Sequence, residues 1–122
     1  MSLCVAAAGL STVIIAASSF SLSWTHTVEK TQWREKWRVE DGGLRLVEAS
    51  VKGSGAGMEP PEGSVLKDGA YVWTPTVPPL KELVLRRDPH ADDWRLCAGE
   101  RCDALGAWLG GDGDPVTLAA CS

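Results

Sequence analysis

The chain has 122 residues and a formal net charge of -4, with 44% hydrophobic and 23% charged residues. This length and ordinary globular composition fit one domain, since two half-size cores would bury too little apolar surface, and they argue against disordered and low-complexity classes. The negative charge argues against a nucleic-acid-binding protein, because affinity for a phosphate backbone comes mainly from lysine and arginine.

The N-terminal segment is apolar and carries no charged side chain before Glu29. Two β-length runs, 3–8 and 12–16, flank a Gly-Leu-Ser turn, and their β-branched content favours a pair of buried strands. A targeting or anchoring segment is the alternative. However, the basic region of a signal peptide is missing, and the apolar stretch is shorter than the roughly 20 residues that span a bilayer. We therefore expect strands here and no stable membrane span.

A regular alternation of side chains follows. In 19–28 the even-numbered residues are large and the odd-numbered residues are serine or threonine, and a period of two indicates a strand with one buried face. A second strand with this period is expected at 33–39. A third is expected at 44–51 after an Asp-Gly-Gly turn, where glycine tolerates a positive φ. These segments predict a three-stranded antiparallel meander.

The remaining segments are short and rich in turn residues. Residues 53–63 hold too many glycines and prolines for regular structure, which predicts a long loop. Further short strands are expected at 65–66, 70–74, 83–85, on both sides of 98–101 and at 115–121. At most one short helix is expected, near 103–109, with Asp103 as its cap. The predicted fold class is all-β: a small antiparallel sandwich or barrel of about eight to nine short strands, forming a single domain over 1–122.

Four cysteines permit three disulfide pairings. Cys97 and Cys102 flank a four-residue hairpin loop, which brings their Cα atoms within disulfide range, and Cys4 and Cys121 would then join the terminal strands. Reduced thiols and a zinc site are the alternatives, although zinc sites usually contain two close cysteine pairs and only one exists here. Disulfides favour a periplasmic location, whereas the lack of a clear signal peptide favours the cytoplasm.

The densest group of chemically active side chains lies on the first predicted hairpin and in the glycine-rich loop. The binding candidates are Trp24, His26, Glu29, Lys30, Trp33, Glu35, Gly55, Gly57 and Met58. In a catalytic interpretation, His26 with Glu29 or Glu35 acts as the general base of a small hydrolase. In a purely structural interpretation, His26 is a satisfied half-buried residue, and the tryptophans fill the core.

Other sequence signals of catalysis are weak. The glycine-rich loop is followed by neither a Lys-Ser/Thr pair nor a helix, so it is not a nucleotide-binding loop. Cys97 and Cys102 are too far apart for a redox C-x-x-C motif. We therefore assign no catalytic residue, no metal site and no cofactor from the sequence.

The segments 23–37 and 53–61 resemble a bacterial family known as domain of unknown function 1850. The likeness extends to Leu3-Cys4, to 94–97 and to Arg101-Cys102. The family motif commonly has serine where this chain has Thr27. Because threonine also carries a hydroxyl, the substitution keeps that group. Members often lie beside genes for tripartite ATP-independent periplasmic (TRAP) transporters of organic acids. The resemblance therefore implies a non-enzymatic accessory or binding module, with TRAP transporter subunits or a small carboxylate ligand as partners.

Overall fold

The computed structural model describes residues 1–26, 31–52, 62–88 and 92–121. Within these ranges it contains eleven strands and one short helix. The strands are β1 (Ser2–Ala7), β2 (Val13–Ala16), β3 (Ser19–His26), β4 (Thr31–Glu40), β5 (Gly43–Lys52), β6 (Val65–Lys67), β7 (Ala70–Trp73), β8 (Glu82–Leu85), β9 (Arg95–Ala98), β10 (Arg101–Ala104) and β11 (Val116–Cys121), and the helix is α1 (Leu105–Leu109). The predicted all-β class is confirmed, with eleven strands in place of eight or nine.

The strands form two antiparallel sheets. One has four strands in the order β2-β1-β11-β8, and the other has seven in the order β10-β9-β3-β4-β5-β7-β6. The predicted meander is the central part of the larger sheet, where β4 pairs with β3 on one side and β5 on the other. The described strands form two distinct sheets that do not join into a closed barrel. Of the two architectures predicted, the structure therefore has the sandwich.

The N-terminal segment forms the expected strand pair. β1 lies between β2 and the C-terminal strand β11, so both ends of the chain belong to the same sheet. A disulfide joins Cys4 to Cys121, with their Cα atoms 5.9 Å apart. A second disulfide joins Cys97 to Cys102, which face each other across β9 and β10. Within the described ranges, the helix is too short to cross a membrane.

The core lies between the inner faces of the two sheets. Leu3, Val5, Val116 and Leu118 of the four-stranded sheet are fully buried, as the every-second-residue spacing of a strand requires. They pack in one cluster with side chains of the larger sheet, among which are Phe20, Leu22, Trp37, Leu44 and Leu96. Each such burial contributes roughly 1.5–3 kcal/mol before conformational entropy is subtracted.

The helix begins differently from the prediction. Asp103 is part of β10, and the N-cap residue is Ala104, which makes no side-chain capping bond. The expectation that Asp103 caps the helix is therefore wrong. The backbone N–H of Gly106 instead donates to the carboxylate of Asp93, at 2.8 Å. An acceptor distant in sequence can replace a local cap because it only has to reach the free N–H groups of the first turn.

Candidate functional site

Four of the six tryptophans form a connected cluster on the inner face of the seven-stranded sheet. Trp24 stacks on Trp33 with ring centroids 5.8 Å apart, and the ring of Trp94 lies 4.5 Å from that of Trp24. Trp73 meets Trp33 edge-on at 6.4 Å. All four side chains are half-buried. We call these residues the tryptophan cluster.

The strand register explains how the cluster forms. Trp24 on β3 is directly opposite Trp33 on β4, so their side chains share one face at cross-strand distance. Trp73 on β7 is opposite Ala49 on β5, two residues from the partner of Trp33. Trp94 precedes β9, which pairs with β3 on its other side. The cluster therefore runs laterally across the sheet, near the end where β3 finishes and β4 begins.

This end of the sheet differs from the end that holds the core. The core cluster contains Phe20 and Trp37, and Trp94 packs against its edge. Trp24, Trp33 and Trp73 are not among the described members of that cluster or the side chains packed against it. Their half-buried rings therefore lie beyond the core cluster and connect to it through Trp94.

Glu35 lies on the same face, between hydrophobic neighbours. Its cross-strand partners are Leu22 and Ala49. Burial raises the pKa of the Glu35 carboxyl above its usual value of 4.5, and a hydrogen bond donated by the Trp37 indole, at 3.3 Å, partly offsets that rise. The described residues place no cation in an ion pair with this carboxylate. Among the described residues, the hydrogen-bond partner of this carboxylate is the indole of Trp37.

Thr31 adds a second polar group to this face. Its side chain is fully buried, and its hydroxyl has no hydrogen-bond partner in the described part of the chain. A buried hydroxyl without a partner costs about 1–3 kcal/mol relative to a satisfied one. The inner face of β4 thus presents two polar groups, Thr31 and Glu35, with Trp33 between them.

His26 ends β3, and its backbone is opposite Thr31. Glu35 lies four residues further along β4, which at about 3.3 Å per residue separates the two backbone positions by roughly 13 Å along the sheet. The two residues are therefore not cross-strand neighbours. The side chain of His26 lies outside the described part of the structure.

Several candidates from the sequence lie outside the described residues altogether: Glu29, Lys30, Gly55, Gly57 and Met58. The part of the chain that the structure does describe contains no group of three histidine, cysteine or acidic side chains placed to hold a metal ion. All four cysteines form disulfides, so neither the zinc nor the reduced-thiol alternative holds.

Two members of the cluster were missing from the sequence candidates. Trp73 lies in a predicted strand, but only the pairing of β7 with β5 places it beside the hairpin. Trp94 is positioned by its indole N–H, which donates to the carbonyl of Arg86 at 2.9 Å. The unusual number of tryptophans, six against one phenylalanine and one tyrosine, was the available signal, but it does not indicate which of them meet.

Comparison with protein families gives a match. The model of a family described as a domain of unknown function, DUF1850, matches residues 20–105. The chain belongs to this family. The range that DUF1850 matches contains the meander except for its first residue, Ser19, together with all four residues of the tryptophan cluster and Glu35. Neither the comparison with curated proteins nor that with solved structures yields a match.

Proposed function

We propose that this DUF1850 protein is a non-enzymatic binding module that acts as an accessory of a TRAP-type carboxylate transport system. The observation that carries the proposal is the tryptophan cluster, whose four rings touch one another and remain half-exposed. Large aromatic side chains are enriched among residues that dominate protein–protein binding energy. A connected group of them at the edge of a core is therefore suited to receive a partner.

The cluster is well ordered by its own contacts, which favours binding. Each ring is held by a neighbouring ring, and Trp94 is also fixed by a hydrogen bond to the backbone of Arg86. Rings held in this way lose little conformational entropy when a partner covers them. Covering them also removes further apolar surface from water, at about 25 cal/mol per Å².

Glu35 indicates the chemistry of the partner. A carboxylate beside tryptophan rings suits an arginine or lysine side chain, which can pair with the carboxylate and lie over an indole face. The same carboxylate would repel a second carboxylate. A small carboxylate ligand is therefore disfavoured on this face, and a protein surface with an exposed cation is favoured.

The transporter is proposed as the source of that surface. The support is the gene neighbourhood that the family resemblance implies, in which members lie beside genes for TRAP transporters. The register separates the backbones of His26 and Glu35 by roughly 13 Å, which argues against a hydrolase that uses this pair, and Glu29, the other candidate acid, lies outside the described residues.

The proposal is tested by purifying the tagged protein from native membranes and measuring co-purified TRAP transporter subunits by mass spectrometry. The wild-type protein should recover them. Trp73→Ala and Trp33→Ala should each reduce the recovery about tenfold or more, as expected for aromatic residues at the centre of an interface. Of the two variants, Trp73→Ala should disturb the fold less, because Trp73 lies at the end of the cluster and contacts one ring, that of Trp33.

The matched control is Ile14→Ala, which removes an apolar side chain that is 67% exposed on the other sheet. It should leave the recovery unchanged. Equal recovery with the Trp73 variant would show that the partner binds elsewhere. Failure of the wild-type protein to recover any transporter subunit would contradict the accessory role and favour the purely structural interpretation.

A further inference from the structure

The outer face of the seven-stranded sheet is basic, although the whole chain is acidic. Alternation along the strands places the side chains on this face opposite to Trp33, Glu35 and Trp37. Seven cations share it: Arg34, Lys36, Arg38, Arg45, Lys52, Lys67 and Arg95. Of the carboxylates on the described part of this face, Glu48 pairs with Lys36 at 3.1 Å, and Glu40 pairs with Arg45.

A groove of about 360 Å³ crosses this face. Its described lining contains three cations, Arg34, Lys52 and Arg95, and no acidic side chain. The lining also includes the hydroxyls of Ser23 and Ser50. The groove is thus a region of positive potential with short hydrogen-bond donors inside it.

The strand register builds the groove. Ser23 is directly opposite Arg34 on one side and Arg95 on the other. Arg34 is in turn opposite Ser50. Two strand spacings of about 4.8 Å therefore separate the two arginine backbones by roughly 10 Å, with a serine between them. Because serine is short and arginine is long, the hydroxyls form the floor and the guanidinium groups form the walls.

The cations of the groove lack carboxylate partners within the described structure. No ion pair joins Arg34, Lys52 or Arg95 to a described acidic residue. The guanidinium group of Arg95 donates a long hydrogen bond, of 3.5 Å, to the backbone carbonyl of Cys102. Like charges gathered on one surface repel each other, and an anion between them would relieve that repulsion.

We propose that this groove binds a small oxyanion with at least two negative charges. The planar fork of a guanidinium group matches a carboxylate or a phosphate with two parallel hydrogen bonds, and the serine hydroxyls supply further donors. The volume lies at the lower end of the range for small-molecule sites. A recessed floor of hydroxyls favours a small ligand over the flat surface of an anionic bilayer.

This site is independent of the proposed function. It lies on the opposite face of the sheet from the tryptophan cluster, and its ligand is recognised by cations instead of aromatic rings. Loss of anion binding and loss of transporter recovery would therefore be separate results, obtained with different variants.

The test is isothermal titration of the purified protein with citrate, succinate and phosphate at constant ionic strength. We expect saturable binding of at least one of these anions to a single site, and the preferred anion distinguishes a carboxylate from a phosphate ligand. Arg34→Gln and Arg95→Gln should each weaken binding about tenfold or more, since each removes charge-assisted hydrogen bonds. Ser23→Ala should weaken it by a smaller factor, without a change of charge.

The matched control is Arg38→Gln, which removes the same charge from the same face of β4, four residues from Arg34 and outside the described lining of the groove. It should change the affinity less than about twofold, because exposed charges at this distance are largely screened by salt. Equal weakening by this variant would overturn the proposal, since it would indicate diffuse attraction to the face. Absence of saturable binding to all three anions, or binding only to phosphatidylglycerol vesicles, would overturn it as well.

Discussion

Glu35 and Thr31 are polar residues on the inner face of β4, where the other side chains are aromatic or aliphatic. The alternation of β4 directs both side chains inward, together with Trp33 and Trp37. Burial raises the pKa of the Glu35 carboxyl, so the ionised carboxylate lowers the stability of the fold at neutral pH. A sequence selected only for stability would favour an uncharged residue here, and an unfavourable charge at such a position is typical of a functional surface.

The first prediction concerns the charge of Glu35. Its folded pKa lies above its unfolded pKa, so the folded state holds the proton more tightly, and the free energy of unfolding falls as pH rises from the ordinary pKa of 4.5 through the raised pKa of the folded state. Glu35→Gln should remove this fall. The free energy of unfolding of Glu35→Gln, minus that of the wild-type protein, should therefore be larger at pH 7 than at pH 4. Urea unfolding of both proteins at the two pH values measures this difference.

The control for this prediction is Glu48→Gln, which removes a carboxylate from the outer face of the neighbouring strand, where it pairs with Lys36. That variant should retain the fall in stability that the ionisation of Glu35 causes. If Glu35→Gln were relatively less stable at pH 7 than at pH 4, the carboxylate would be stabilised by a partner in the folded chain.

At the scale of elements, the segments around β8, β9 and α1 are joined by one arginine. Arg87 follows β8, and its guanidinium group donates to both carboxylate oxygens of Asp93, at 3.0 and 2.8 Å. It also donates to the carbonyls of Gly111 and Gly113. Asp93 in turn accepts the N–H of Gly106 in α1. A polar network thus fixes loops that have little hydrophobic core of their own.

The second prediction tests this network. Arg87→Lys keeps the positive charge but loses the planar fork that serves the carboxylate and the two carbonyls together, so the free energy of unfolding should fall by about 2 kcal/mol. The matched control is Arg86→Lys, the adjacent residue, whose side chain is 77% exposed and pairs with Asp114. Its effect should stay below about 0.5 kcal/mol, because exposed ion pairs contribute little. Equal effects in urea unfolding would show that Arg87 is not the residue that joins these segments.

At the scale of the whole molecule, the two chain ends are neighbours. β1 and β11 pair along their length, and the Cys4–Cys121 disulfide adds a covalent link across a sequence separation of 117 residues. The Cys97–Cys102 disulfide spans 5 residues within one hairpin. In the chain-entropy account, a disulfide stabilises by restricting the unfolded chain, and the restriction grows with the length of the closed loop.

The third prediction compares the two disulfides. Replacing both Cys4 and Cys121 with serine should lower the free energy of unfolding by about 4–5 kcal/mol, whereas the same change at Cys97 and Cys102 should lower it by about 2 kcal/mol. Denaturant unfolding of the two double variants measures the difference, and each variant serves as the control for the other. A reversed order would show that the local hairpin link contributes more than the closure of the chain.

The sequence predicted local structure best where short-range rules apply. The period of two in 19–28 and 33–39 identified β3 and β4, and glycine at a turn marked the junction with β5, where Gly42 has a φ of 76°. The hairpin spacing of Cys97 and Cys102 identified one disulfide, and the other followed from the remaining pair. The cap of α1 was mispredicted as Asp103, because the acceptor that reaches the helix is Asp93, thirteen residues before Gly106.

What the sequence by itself determined about this protein is its all-β class, its meander and the alternation that places Trp33 and Glu35 on one face of their strand. These properties depend on alternation and turn chemistry, which act between near neighbours in the chain. The tertiary structure alone decided that Trp73 and Trp94 join the hairpin tryptophans, and that Arg34 and Arg95 flank Ser23 on the opposite face. The order of strands in a sheet brings such residues together, and that order depends on contacts between distant segments that the local pattern does not encode.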